Sequence, residues 1–188
     1  MGRLITSLGN GKTKITVLCP YLKRLHRFAM AALAVNGVDR LAVNDLELTA
    51  PGPSFTAETL SRLRDKGLSP SQIFFITGAD AFAEIETWRR YPEVLELAQF
   101  VVIARPGSPL ESLPSRLPAL AGRMTRGGRP PVPGTSAIFL VDVRTPDVSS
   151  TDIRRRIASG EPLAGLVPPA VEAHIVQHGL YGMPRARA

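Results

Sequence analysis

Ile73–Trp88 reads IFFITGADAFAEIETW. Its first four residues, Ile73-Phe74-Phe75-Ile76, form an apolar run rich in β-branched and aromatic side chains, the composition of a strand buried on both faces. The run breaks at Thr77-Gly78-Ala79-Asp80 and passes into a helix-like segment that ends near Trp88. A buried parallel strand followed by a small-residue turn and a helix places a ligand-accessible edge at the strand's carboxyl end. Gly78 would let a ligand approach the backbone, and Asp80 would either cap the helix or accept hydrogen bonds from ribose hydroxyls. A plain strand-to-helix turn with a capping aspartate has the same local sequence.

The rest of the chain repeats this alternation. Phe100–Ala104 (FVVIA) and Ala137–Val143 (AIFLVDV) are two further apolar strands, and the first ends in Arg105-Pro106-Gly107. Tyr21–Asn36 carries Leu22, Leu25, Phe28, Ala29, Ala32 and Leu33 on one helical face. Val38–Leu48 alternates and predicts a strand. Ser54 or Thr56 would cap a helix over Ala57–Lys66. A short helix is expected over Tyr91–Ala98, another near Leu113–Ala121 within a Pro/Gly/Arg-rich connection at 107–135, and a last one over Ala170–His178. Residues 1–20 are poorly patterned, with a turn-like Gly9-Asn10-Gly11 and a short strand candidate at Ile15–Leu18. Gly11-Lys12-Thr13 imitates the end of a phosphate-binding loop, but Thr6 stands where that loop needs its first glycine. The expected class is α/β with a doubly wound parallel sheet. The expected organisation is an atypical segment at 1–20, one domain over 21–182 and a tail at 183–188.

Composition narrows the partners. The chain has 188 residues, 44% hydrophobic and 21% charged, ordinary for a soluble globular domain. It has no apolar run long enough to span a bilayer and no signal-peptide pattern, so no membrane partner is expected. A single cysteine, Cys19, fits a reducing compartment, and a cytoplasmic location is expected. No Cys/His set stands at a standard metal spacing, so no metal site is expected from the residues. A net charge of +7 and a pI near 10.3 favour anionic partners such as nucleotides and polyphosphates. Nucleic acid is a less favoured partner because the positive charge is dispersed along the chain.

Val148–Ile157 (VSSTDIRRRI) follows the third apolar strand. Ser149, Ser150 and Thr151 stand at the predicted start of a helix, where free N–H groups and hydroxyls bind phosphate. Arg154 lies one turn further, within reach of the same anion. Capping alone explains the same residues equally well.

Together these segments resemble nicotinate-nucleotide adenylyltransferases. The likeness rests on HRFAMAAL (26–33), LELTAPGPSFTAETL (46–60), FFITGADAFAEIETW (74–88), FVVIARPG (100–107), VSSTDIRRRI (148–157) and LVPPAVEAHIVQHGLY (166–181). The resemblance implies a Rossmann-like nucleotidyltransferase fold that joins ATP to nicotinate mononucleotide with Mg2+ assistance, releasing pyrophosphate. It implies that Gly78, Asp80, Ser149, Ser150, Thr151 and Arg154 contact ATP. It also implies that Thr56, Trp88, the Arg89 backbone and Arg105 line the mononucleotide site. The family's opening Gly-Gly-Thr-Phe turn and His-x-Gly-His motif do not occur in this sequence. The expectation is therefore a family member without its first β–α unit, weak in catalysis, its empty central position left open or filled by Ile15–Leu18. Two alternatives remain: a transferase with another phosphate acceptor, such as pantetheine phosphate, and a non-catalytic nucleotide-binding remnant. Homo-oligomerisation is left open.

Overall fold

The computed structural model describes residues 3–9, 12–18, 24–48, 53–105, 107–128, 135–143, 146 and 148–182, with side chains from Leu25 onward. In chain order its elements are β1 (Arg3–Gly9), β2 (Lys12–Leu18), α1 (Arg24–Val35), α2 (Thr56–Asp65), β3 (Ile73–Gly78), α3 (Ala79–Phe82), β4 (Gln99–Ile103), α4 (Leu113–Arg116), β5 (Met124–Thr125), β6 (Ile138–Val141), α5 (Ser150–Ala158) and α6 (Pro169–Gln177). One six-stranded sheet has the order β2-β1-β3-β4-β6-β5. The four strands β3, β4, β6 and β5 are parallel, as the strand–helix alternation predicts.

The sheet buries one face. Phe75, Phe100 and Ile138 lie side by side in register and are fully buried, with Val102 and Leu140 one step along. Phe82 from α3 and Ala57, Leu60 and Leu63 from α2 close over them. On β3 burial alternates strictly, so the expectation of a strand buried on both faces is corrected. Phe74, Val101 and Phe139 point to the opposite face, where they line an open groove of about 570 Å³ and are only half-covered. An all-apolar run does not reveal this, because one uncovered face changes nothing in the local sequence.

The amino-terminal segment departs most from expectation. β1 and β2 form an antiparallel hairpin whose ladder runs from Arg3↔Leu18 to Gly9↔Lys12. β1 lies antiparallel against β3, pairing Leu4 with Ile76 and Ser7 with Ile73. The position beside β3 is thus filled by Arg3–Gly9 and not by Ile15–Leu18, which forms the outer strand. The hairpin satisfies backbone groups that would otherwise be left open on that edge of β3.

Val38–Leu48 is not a strand. Its backbone turns repeatedly: Leu48 N–H donates to the Asp45 carbonyl, and Leu46 N–H donates to the Asn44 side chain. Its alternating pattern packs Leu46 on the core and buries Glu47, which accepts a hydrogen bond from Thr59. The expected helix over Tyr91–Ala98 is a single 3-10 turn, Glu93–Glu96, capped by Pro92. Ile153, Ile157, Val171, Ile175 and Leu180 form a second, smaller core on which Met30 and Leu33 of α1 pack. The carboxyl-terminal helices are therefore tied back to α1.

Candidate functional site

β3 delivers Gly78 to the tip of the sheet, where it also serves as the N-cap of α3. β4 runs parallel to it and pairs Ile103 with Gly78, so Arg105, two residues past Ile103, arrives at the same tip. The crowding there is direct. A Cβ on Gly78 would collide with Asp80 Oδ1 and stand 3.1 Å from Arg105 Cγ and 3.3 Å from its Nε. Any role of Gly78 lies in space and not in backbone conformation, since its φ of −76° is open to any residue and the crowding atoms are side-chain ones. Asp80 and Arg105 face each other at 3.9 Å, an ion pair too long for a hydrogen bond. Asp80 Oδ1 is buried without a hydrogen-bond partner among the described residues. Gly78, Asp80 and Arg105, read separately from the sequence, form one cluster. Asp80 sits inside the first turn of α3 and does not cap it.

Thr56 opens α2 and is buried; the N-cap is Phe55, without a side-chain cap bond, so neither Ser54 nor Thr56 caps this helix. Beside it is a second hollow of about 250 Å³ lined by Ser54, Phe55, Glu58 and Arg89. Arg89 makes a 2.9 Å ion pair with Glu58, and its guanidinium lies 4.6 Å over the Phe55 ring. Ser54 Oγ and Glu58 Oε2 are buried there without hydrogen-bond partners among the described residues. Trp88 is half-buried and meets Phe75 edge-on, ring centres 5.8 Å apart. It therefore packs on the sheet core directly beside this hollow in sequence. Phe55 and Glu58 escaped sequence reading because their meaning depends on Arg89, which follows thirty residues of chain.

Ser149 is the N-cap of α5, and its hydroxyl accepts from Asp152 N–H at 3.0 Å. Ser150 and Thr151 are exposed on the first turn. Asp152 is held between Arg155 at 2.7 Å and Arg156 at 2.9 Å. Those hydrogen bonds pull its carboxyl below the ordinary range. The clamp therefore supports the helix at neutral pH and is lost as the pH falls through the acid range. Arg154 takes another direction, over the Tyr181 ring at 5.5 Å. The same stretch anchors the smaller core through Val148, Ile153 and Ile157, while Tyr181 beneath Arg154 packs against that core. Ser149→Ala removes a cap, so a loss of about 1 kcal/mol is expected, read as a small drop in urea midpoint. An unchanged midpoint would show that the hydroxyl does no capping.

His26, His174 and His178 also converge, although no sequence spacing pointed to them as a set. His26 Nδ1 and His174 Nε2 share a hydrogen bond of 3.1 Å, and the rings of His174 and His178 stand 4.4 Å apart. Burial, then the neighbouring His178 and His26, push the His174 imidazole below its ordinary value. The signal available in sequence was the i, i+4 pair His174/His178; His26 lies 148 residues away.

Among known proteins, the cytidylyltransferase-like family matches residues 3–156. A "Probable nicotinate-nucleotide adenylyltransferase" of Roseiflexus sp. is 41% identical over 156 residues, 83% of this chain and 71% of the relative. One of the same name from Thermus thermophilus is 40% identical over 155 residues, 82% of this chain and 72% of its own. In solved structures, the nicotinic acid mononucleotide adenylyltransferase of Plasmodium falciparum, complexed with APC, superposes with a TM-score of 0.67 over 92% of this chain and 83% of its own, at 15% identity. At that identity the likeness concerns the fold alone. The same protein complexed with NaAD gives a TM-score of 0.64. A parallel sheet with a glycine, a carboxylate and a guanidinium at one tip, and relatives at about 40% identity over four-fifths of the chain, lead to one conclusion: this chain belongs to the nicotinate-nucleotide adenylyltransferases of the cytidylyltransferase-like family.

Proposed function

We propose that the chain transfers the adenylyl group of ATP to nicotinate mononucleotide, giving nicotinate adenine dinucleotide and pyrophosphate. The observation that carries this is the family membership, combined with the Gly78–Asp80–Arg105 cluster at the sheet tip. A phosphate oxygen of the mononucleotide attacks the α-phosphorus of ATP in line. A new P–O bond forms as the bond to the bridging oxygen of the β-phosphate breaks, and the electron pair leaves with pyrophosphate. No protein nucleophile is needed; positioning and positive charge carry the rate.

In this reading Gly78 admits the nucleotide to the backbone and Asp80 accepts ribose hydroxyls with its unpartnered oxygen. Ser149, Ser150, Thr151 and Arg154 hold the phosphates at the start of α5. Thr56, the Arg89 backbone and Trp88 frame the pyridine ring, and Arg105 lines the cleft between. Arg89 is engaged by Glu58, which leaves its backbone as the group for the pyridine carboxylate. Trp88 stacks on the ring once it turns from its edge contact with Phe75.

Mg2+ takes oxygen ligands and is held chiefly by substrate phosphates with one or two carboxylates. Substrate phosphate oxygens fit that role, whereas the imidazole cluster does not, and in this reading the Asp80 oxygen is given to the ribose. Carried in with the triphosphate, the ion would neutralise the departing pyrophosphate.

His-x-Gly-His does not occur in residues 1–188, so in this reading these residues alone turn over without the donors that the motif would aim at the transferring phosphate. Each preorganised donor of that kind contributes about 10²- to 10³-fold in rate. The test pairs calorimetric titration of nicotinate adenine dinucleotide with pyrophosphate release from ATP and each of nicotinate mononucleotide, nicotinamide mononucleotide and phosphopantetheine. We expect one-to-one dinucleotide binding and slow turnover that prefers nicotinate mononucleotide. Faster turnover with phosphopantetheine would reassign the acceptor. RNA affinity that falls steeply with salt, without dinucleotide binding, would overturn the reading altogether.

A further inference from the structure

We propose that His26, His174 and His178 form a binding site for one divalent transition-metal ion, Zn2+ in kind, that clasps α1 to α6. These are all the histidines in the chain, and folding brings them to one place from two distant segments. His26 stands in the first turn of α1; His174 lies in α6 and His178 caps its end. One ligand nitrogen from each lies within 4.8 Å of the others. Around a tetrahedral Zn2+ with bonds of about 2.0–2.1 Å, ligand nitrogens stand roughly 3.3 Å apart. The His26–His174 pair is already at 3.1 Å, so only His178 has to swing inward. His174 and His178, the residue that caps the same helix, are four apart, the spacing with which helical histidines chelate zinc.

Electrostatics argues for the same occupant. The protein carries a net charge of +7, and three imidazoles within touching distance oppose one another if protonated. The His26–His174 hydrogen bond uses one donor and one acceptor, and a neutral imidazole keeps one ring lone pair for a ligand. A borderline cation accepts those lone pairs and turns mutual repulsion into shared ligation. Three ring nitrogens exclude Mg2+ and Ca2+, which require oxygen, and leave a fourth position for water. The ion would close the end of the α1–α6 contact whose other part is the packing of Met30 and Leu33 on the smaller core. This site is independent of the adenylyl-transfer reading.

The test uses the full chain without a polyhistidine tag, stripped of metal and dialysed against ZnCl2 and, separately, CoCl2. We expect one Zn2+ per chain and a zinc-dependent rise in Tm. The Co2+ form should show the strong visible absorption of a four-coordinate site. His26→Gln, His174→Gln and His178→Gln should each weaken binding by at least the roughly 10- to 100-fold that loss of a supporting partner costs a metal site, and should abolish the Tm rise. Cys19→Ser should change neither. Binding that survives the histidine substitutions, disappears with Cys19→Ser, or never reaches one ion per chain overturns the proposal. Should a variant fail to fold, the Co2+ form of the unaltered chain decides: hyperfine-shifted imidazole N–H resonances from three histidines support the site, and their absence overturns it.

Discussion

Replacing Phe100 with alanine is expected to remove about 3–5 kcal/mol of stability. Phe100 is fully buried at the centre of β4, its ring 5.5 Å from Phe75 and 5.7 Å from Phe82. It touches both Phe75 of the neighbouring strand and Phe82 of α3, so its loss leaves a cavity that neither neighbour can fill without moving the other. Domains of this size are stable by only about 5–15 kcal/mol, so the change removes at least about a fifth of that margin. Urea denaturation followed by circular dichroism should show a much lower midpoint with an unchanged slope. A loss under about 1 kcal/mol would mean that the site repacks freely and that the core is not centred on this ring.

Gly78→Val should do the opposite: little to stability and much to binding. The Gly78 backbone, at φ −76° and ψ 154°, is extended and suits a β-branched residue. The added carbons, however, enter the space held by Asp80 and Arg105. Either those side chains swing into the cleft or the ligand loses its approach to the backbone. We expect affinity for nicotinate adenine dinucleotide to fall at least about 100-fold, roughly 3 kcal/mol, with the urea midpoint nearly unchanged. Affinity that survives the substitution would place the dinucleotide away from the β3 tip. A collapse of both properties would show that Gly78 is needed for folding and leave no separate binding role for its space.

The contrast between these two positions marks how much was legible beforehand. Phe100 announces itself, since it opens FVVIA with four apolar residues after it. Gly78 announces a turn but not its crowding, because Arg105 comes from another strand and only the β3–β4 register brings it alongside. Val38–Leu48 shows the reverse failure. Its alternation is real, yet among the described residues no strand pairs with it; its backbone turns on itself and Glu47 accepts from Thr59 of α2 instead. Arg89 illustrates a third kind: the residue was identified, but its side chain's partners, Glu58 and Phe55, are set by packing across the α2 start.

What could be read from neighbouring residues alone was the order of strand, turn and helix, the parallel sheet and the segments that mark the family, since apolar runs, caps and glycine turns act over a few residues. Folding decided the rest: which face of β3 is covered, that Arg3–Gly9 lies against it, and that His26 meets His174 across 148 residues. Those outcomes depend on which surfaces meet once the chain closes on itself. No local pattern encodes a contact whose two halves are separated by most of the molecule.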